Sequence, residues 1–206
     1  MAYGYLDRLN TPSIRAAREA NGVGGLWDKF AGERPGDRFG EAEAAFIGAR
    51  DSVYMASVAE NGWPYLQHRG GPAGFVKVLD ETTLGLLDFR GNRQYISLGN
   101  TAADGRVALF FMDYVHKARL KVLAHLETLA LDADPALTER LALPGYKARP
   151  ERVFRLKLEA FDWNCQQHIT QRFTVEEVGA LAAPLRQRLA ALEAENAELR
   201  ARLDVA

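Results

Sequence analysis

Apolar and polar residues alternate with period two through much of the middle of this chain. "SVYMASVA" (52–59) and "WPYLQHR" (63–69) flank "ENG", and Asn61-Gly62 is a strong hairpin signal. "FVKVL" (75–79) and "TTLGLLDF" (82–89) form a second hairpin around Asp80-Glu81, after a break at "GGPAG". "RVALFFMDY" (106–114) is nearly all apolar and reads as a central strand. "ARLKVLAHLETLAL" (118–131) and "VFRLKLEAFDW" (153–163) alternate as half-buried strands should. Six or seven antiparallel strands at short spacing predict a mainly β fold with some α, in a closed or nearly closed barrel.

Helical spacing is confined to the flanks and connections. Thr11-Pro12 is an N-cap followed by Pro at the first helical position, and the helix should end near Asn21-Gly22. Residues 22–38 are rich in Gly and charge and read as a loop; "GEAEAAFIGAR" (40–50) and "PALTERLAL" (135–143) read as short helices. From Ala180 the composition changes. Leu185, Leu192 and Leu199 take d positions, and Leu189, Asn196 and Leu203 take a positions. A single Asn at a central a position fixes a parallel two-stranded register. In that register the g residues Arg188 and Glu195 face the e residues Glu193 and Arg200 of a second copy, opposite in sign both times. The competing reading is a surface helix packed on its own barrel. The expected division is a helical extension (1–40), a barrel domain (41–178) and a coiled-coil helix (179–206).

Composition narrows the function classes. Twenty-six basic against 27 acidic residues, net charge −1, leave no excess to neutralise a nucleic-acid backbone. No apolar run approaches the roughly 20 residues of a membrane span. The N-terminus lacks the apolar core of a signal peptide, so a cytoplasmic protein is expected. Cys165 is the single cysteine. It has no cysteine neighbour for a disulfide or a zinc site, and no base is identified that would make it a nucleophile.

Three stretches carry candidate chemistry. In "DFRGNRQYISLGN" (88–100), a strand runs into a short apolar segment, Tyr95–Leu98, that Gly99-Asn100 should stop. Asn92 can cap that helix, Gly91 allows close backbone approach, Arg93 offers a planar fork and Gln94 neutral donors. Together they suit a phosphate. In "LQHRGGPAGFV", Gln67 and Arg69 fall on one face of a strand and His68 on the other, while Gly70, Gly71 and Gly74 could let a flat ligand lie on bare backbone. "DWNCQQHITQRF" (162–173) supplies Asn164, Gln167 and His168, groups able to read the carbonyl and N–H edges of a flat ring.

In order and content these segments resemble the pyridoxamine 5′-phosphate oxidase-like family of FMN-binding split barrels. The resemblance spans roughly residues 40–175. "DFRGNRQYISLGN" and "DWNCQQHITQRF" resemble the signatures of an uncharacterised bacterial branch. The resemblance implies a split β-barrel and a homodimer with two FMN sites, each built from both chains, acting on a small molecule. It places the phosphate on Asn92, Arg93 and Gln94, with Gln94 where the family has Lys. His68 and Arg69 fall near the family's first phosphate-binding Arg, and Lys77 near its strand lysine. The Arg-x-His pair that grips pyridoxamine phosphate in the oxidases is replaced by "NCQQHITQRF", so that reaction is not assigned. The expectation is an FMN-dependent oxidoreductase, with His68, Gly70, Gly71 and Lys77 among the cofactor residues and His168 the candidate for a bond to ring or substrate. Two alternatives stand beside it: a flavin-binding redox sensor or carrier without turnover, and a haem-binding split barrel using His68, His116, His125 or His168. A deazaflavin in place of FMN stays open.

Overall fold

A computed structural model of the chain describes residues 4–26, 36–163 and 167–203. They fall into two compact units, Met1–Asp113 with Ala118–Gln167, and Tyr114–Lys117 with His168–Ala206. The first unit carries helices α1 (Tyr5–Arg8), α2 (Pro12–Ala20), α3 (Glu41–Gly48), α4 (Ile96–Ala103) and α5 (Pro135–Leu141). Its strands are β1 (Ser52–Val58), β2 (Pro64–Gly70), β3 (Lys77–Asp80), β4 (Thr83–Phe89), β5 (Arg106–Asp113), β6 (Ala118–Leu129) and β7 (Pro150–Trp163).

The seven strands form one antiparallel sheet in the order β2-β1-β5-β6-β7-β4-β3. Period-two alternation carries one side chain in two to a common interior. Val53 and Met55 of β1, Val107, Leu109 and Phe111 of β5, Leu120 and Val122 of β6, and Phe154 and Leu156 of β7 form its core. β4 is buried on both faces, with Leu84 and Leu86 in this core and Leu87 packed with Leu141 and Val153. Gly85 leaves room for these side chains: a Cβ there would lie 2.8 Å from Leu79 Cδ1 and 3.0 Å from Leu141 Cδ2, and the leucines would have to shift.

The sheet is not closed: β2 and β3 stand at its two ends. The "GGPAG" break is the cause. Pro72 has no N–H to donate, Gly74 has φ +82°, and a Cβ on Gly71 would sit 2.7 Å from Phe75 Cβ. This tight turn drives Phe75 and Val76 into the core instead of continuing a ladder against β2. Side chains span the gap instead. Arg69 of β2 and Arg152 of β7 both donate to the Asp88 carboxylate of β4.

Thr11 caps α2 as expected, its Oγ1 accepting from Ile14 N at 3.4 Å. α4 departs from expectation. It begins at Ile96 and runs through Gly99-Asn100 to Ala103. Buried Asn100 donates from Nδ2 to Ser57 Oγ at 3.0 Å, and Thr101 Oγ1 donates to Ser97 O at 2.8 Å. Tertiary contacts here outweigh the local stop signal.

The second unit contains α6 (Val175–Leu203). It starts earlier than Ala180 because Thr174 and Glu177 make a capping box: Thr174 N donates to Glu177 Oε2 at 2.7 Å, and Glu177 N to Thr174 Oγ1 at 3.2 Å. Leu185, Leu189, Leu192, Leu199 and Leu203 are between 43% and 75% exposed, so the apolar seam is uncovered. Among the described residues no helix is long and apolar enough to cross a membrane.

Phe111, wholly buried, anchors the interior. Phe111→Ala should cost about 3–5 kcal/mol of unfolding free energy, read as a lower urea midpoint.

Candidate functional site

Where the sheet is split, a cleft of about 360 Å³ opens. Its walls come from the end of β2, the end of β4, the loop Arg90–Tyr95, the start of α4, Tyr146, Ala148 and Arg152. Two of the three stretches singled out in the sequence therefore meet. Gln67, His68, Arg69 and Gly70 line it from one side, and Asn92, Arg93 and Gln94 from the other.

The strand wall keeps its alternation. Tyr65, Gln67 and Arg69 are half-buried, while Leu66 and His68 are exposed. Tyr65 OH donates to Gln67 Oε1, and Gln67 Nε2 donates to His68 O at 3.0 Å. The His68 ring meets its cross-strand neighbour Tyr54 edge-on, with centroids 5.4 Å apart. Arg69 gives Nη1 to Asp88 and lies over the Phe154 ring at 4.7 Å. Its Nε is buried and has no hydrogen-bond partner among the described residues. A buried donor left so is costly, and it points to a missing acceptor.

The loop wall is strained. Arg93 has φ 62° and Tyr95 φ 52°, left-handed values that non-glycine residues rarely take. Asn92 does not cap α4, contrary to expectation. Its Oδ1 accepts from Gln94 N at 3.1 Å and shapes the turn before the helix, whose N-cap position falls to left-handed Tyr95. No side chain caps α4, so its first N–H groups lack that partner. Arg93 is exposed and pairs with no carboxylate among the described residues. On Gly91 a Cβ would meet nothing within 4 Å, so that stretch of backbone faces open space.

Between the walls runs a chain of alternating charges. Arg69 and Arg152 share Asp88, Arg152 Nη2 also donates to Glu151 Oε2 at 3.1 Å, and Arg90 Nε donates to Glu151 Oε1 at 2.7 Å. The Arg90 hydrogen bond holds the Glu151 carboxyl below its ordinary pKa, helped by Tyr95 OH and by the charges of Arg90 and Arg152. For Arg152, burial opposes the charge, but the hydrogen bond to Asp88 and the fields of Asp88 and Glu151 outweigh it and raise its pKa. Arg69, Arg90, Arg93 and Arg152 face the cleft with Asp88 as the one acidic lining residue, which leaves it electropositive. Phe89 and Tyr146 meet edge-on at 5.2 Å and give it an aromatic rim.

The other expected site residues lie elsewhere or outside the described residues. Lys77 does not line the cleft. Its Nζ donates to the carbonyls of Arg140 and Ala142, at 2.7 and 3.4 Å, where α5 leaves acceptors unpaired at its end. Gly71 and Gly74 shape the turn before Phe75 and do not line the cleft. Gln67 is shared between strand and cleft, whereas Gln167 is exposed and not among the lining residues. His168, with φ 63°, belongs to the second unit, and Asn164 and Cys165 lie outside the described residues. Among the described residues no three His, Cys, Asp or Glu side chains gather as a metal site. Sequence reading missed Asp88, Arg90, Tyr95, Tyr146, Glu151 and Arg152. An acidic residue closing the apolar run "LGLLDF" was the available signal for Asp88.

No family model and no curated protein matches the chain, but solved structures do. HupZ of Group A Streptococcus matches with a TM-score of 0.50 at 14% identity, over 66% of this chain and 99% of its own. A Clostridium acetobutylicum protein related to general stress protein 26, of the pyridoxinephosphate oxidase family, gives a TM-score of 0.43 at 16% identity, over 65% and 92%. An FMN-binding protein from Syntrophomonas wolfei gives 0.43 at 14%, over 59% and 83%. The likeness to HupZ shows a shared fold. The unclosed antiparallel sheet is the split barrel that the sequence resemblance implied.

Glu151 should tie acid sensitivity to this cleft. Its folded pKa is depressed, so its contribution is complete above about 4.5, the unfolded value, and is lost as pH falls through the lower folded one. Glu151→Gln should melt below the parent at neutral pH, and the difference should close as the pH drops under about 4.5.

Proposed function

We propose that the chain is an FMN-dependent oxidoreductase of the pyridoxamine 5′-phosphate oxidase-like type, with the FMN phosphate in the cleft at the split of the sheet. One observation carries the reading. Arg93, exposed and without an acidic partner among the described residues, is held on a left-handed turn across the cleft from Arg69, whose buried Nε lacks an acceptor. A phosphate dianion suits both. Asn92 shapes the loop, Gln94 adds neutral donors, and the open backbone at Gly91 lets the group approach. Gln67, His68, Gly70 and Tyr146 lie beside this point and would flank the rest of the cofactor. The flavin, when bound, supplies hydride or electron chemistry. The chain's own residues hold it, screen its charge and orient it. No cleft side chain is arranged as an obligatory acid or base, and His168 and Asn164 remain proposed contacts to the ring.

The working unit we propose is a cytoplasmic homodimer with FMN sites shared between chains and a parallel coiled-coil tail. The uncovered leucines of α6, the a-position Asn196, and the Arg188–Glu193 and Glu195–Arg200 pairings support the tail. About three heptads are marginal alone, so the tail adds to a dimer already formed by the barrels.

A visible spectrum of the purified protein tests the cofactor directly, and reduction by NADH or NADPH followed by reoxidation tests turnover. Arg93→Ala should weaken FMN binding about 10- to 150-fold through loss of charge-assisted bonds worth roughly 1.5–3 kcal/mol. Unchanged affinity in a titration of the flavin-free protein would sink the phosphate assignment.

Deleting the chain from residue 180 onward should lower thermal stability yet leave a dimer with bound FMN. Asn196→Leu should raise stability while loosening the choice of oligomer. Sedimentation of the parent and both variants checks this. A stable monomer with a full complement of FMN is the result incompatible with it.

A further inference from the structure

Glu151 and Arg152 are consecutive on β7, and regular alternation would send their side chains to opposite faces. The register is irregular here. Asp88 pairs with Arg152 and Phe89 with Pro150, so Glu151 is the extra residue of a β-bulge. Bulges re-aim side chains, and this one brings Glu151 and Arg152 together, with Arg152 Nη2 donating to Glu151 Oε2 at 3.1 Å.

The other carboxylate oxygen faces the loop. Glu151 Oε1 accepts from Arg90 Nε at 2.7 Å and from Tyr95 OH at 3.4 Å. Arg90 and Tyr95 are the first and last residues of the loop that carries Arg93. The loop's start is pinned again by Arg90 N donating to Arg149 O at 2.9 Å, and Tyr95 lies under the Arg152 guanidinium at 5.1 Å. Arg93 makes no ion pair of its own among the described residues, so its place is set by what holds the loop on either side. Left-handed φ values at Arg93 and Tyr95 persist when the surroundings enforce them. One carboxylate oxygen that ties both ends is such an enforcement.

We infer that Glu151 is a positioning residue for anion binding: its bulged carboxylate clasps Arg90 and Tyr95 and thereby holds Arg93 in its phosphate-facing conformation. The inference rests on the reading of this cleft as a phosphate site. Glu151 would not touch the phosphate, which its own charge would repel. It acts through the loop.

The test compares FMN with riboflavin, which lacks the phosphate, by titrating each into the flavin-free protein. The ratio of the two dissociation constants isolates the phosphate's share of binding. Glu151→Gln should shrink the parent's preference for FMN roughly tenfold, and Tyr95→Phe roughly threefold, with riboflavin affinity near the parent's in both. Tyr95→Phe keeps the ring beneath Arg152 and removes one hydroxyl, so it carries the test if Glu151→Gln does not fold. Variants that keep the parent's ratio would overturn the inference while leaving the phosphate reading intact. Parallel weakening of both ligands would also overturn it, by showing a merely structural role. A parent with no preference for FMN over riboflavin would sink the phosphate reading itself, and this inference with it.

Discussion

The Asp88 carboxylate spans a gap that the sheet's backbone hydrogen bonds do not cross. β2 and β3 are the two edges of the sheet, and the turn at Gly71–Gly74 sends the chain into the core instead of along a ladder. Arg69 reaches across from β2, Arg152 comes from the neighbouring β7, and both donate to Asp88. A carboxylate only 7% exposed is tolerable because two guanidiniums satisfy it. Removing one partner of so buried a pair leaves uncompensated charge, at roughly 3–5 kcal/mol. The bridge therefore does what a closing strand pair does in a complete barrel, and it does so with charge.

That substitution has a functional consequence. A ladder would have sealed this end of the barrel, whereas an ionic bridge leaves it open and positive. The alternating series Arg69, Asp88, Arg152, Glu151, Arg90 carries one surplus positive charge, and Arg93 adds another above it. Phe75, Leu86 and Phe154 belong to the apolar interior beside this series, and the ion pairs to Asp88 and Glu151 hold the guanidiniums there. An electropositive mouth over a dry floor, with aromatic rings at its rim, suits a ligand that is an anion at one end and flat at the other. The loop that carries Arg93 is already held in left-handed conformations, so the ligand proposed for it would leave less ordering to be paid on binding.

The second unit follows different physics. α6 exposes its leucines, and a helix whose apolar face is unburied is only marginally stable in water, which is the ground for the partner proposed for it. Pro184 interrupts the hydrogen-bond ladder one residue before the first d-position leucine. The heptad pattern thus begins where the helix is locally weakest.

Period-two alternation, the Asn61-Gly62 hairpin and the Thr11 cap made the strands and α2 legible in the sequence, because each is governed by neighbours a few residues apart. The residue types of "HRG" and "GNRQ" were legible as well, and the fold brings both stretches to one cleft. The extent of α4 was not legible, because buried Asn100 answers to Ser57, more than forty residues away, and not to the local Gly-Asn signal. The contacts of Lys77 were not legible for the same reason: its partners are carbonyls at the end of a helix distant in sequence. Glu151 and Arg152 were invisible as site residues, since alternation puts neighbours on opposite faces and a bulge is needed to bring them together. What the sequence determined by itself was the set of strands and the chemistry of two loops. That the barrel stays split, and that five charges line the split, was decided by tertiary structure, because both depend on which strand ends meet once the core has closed.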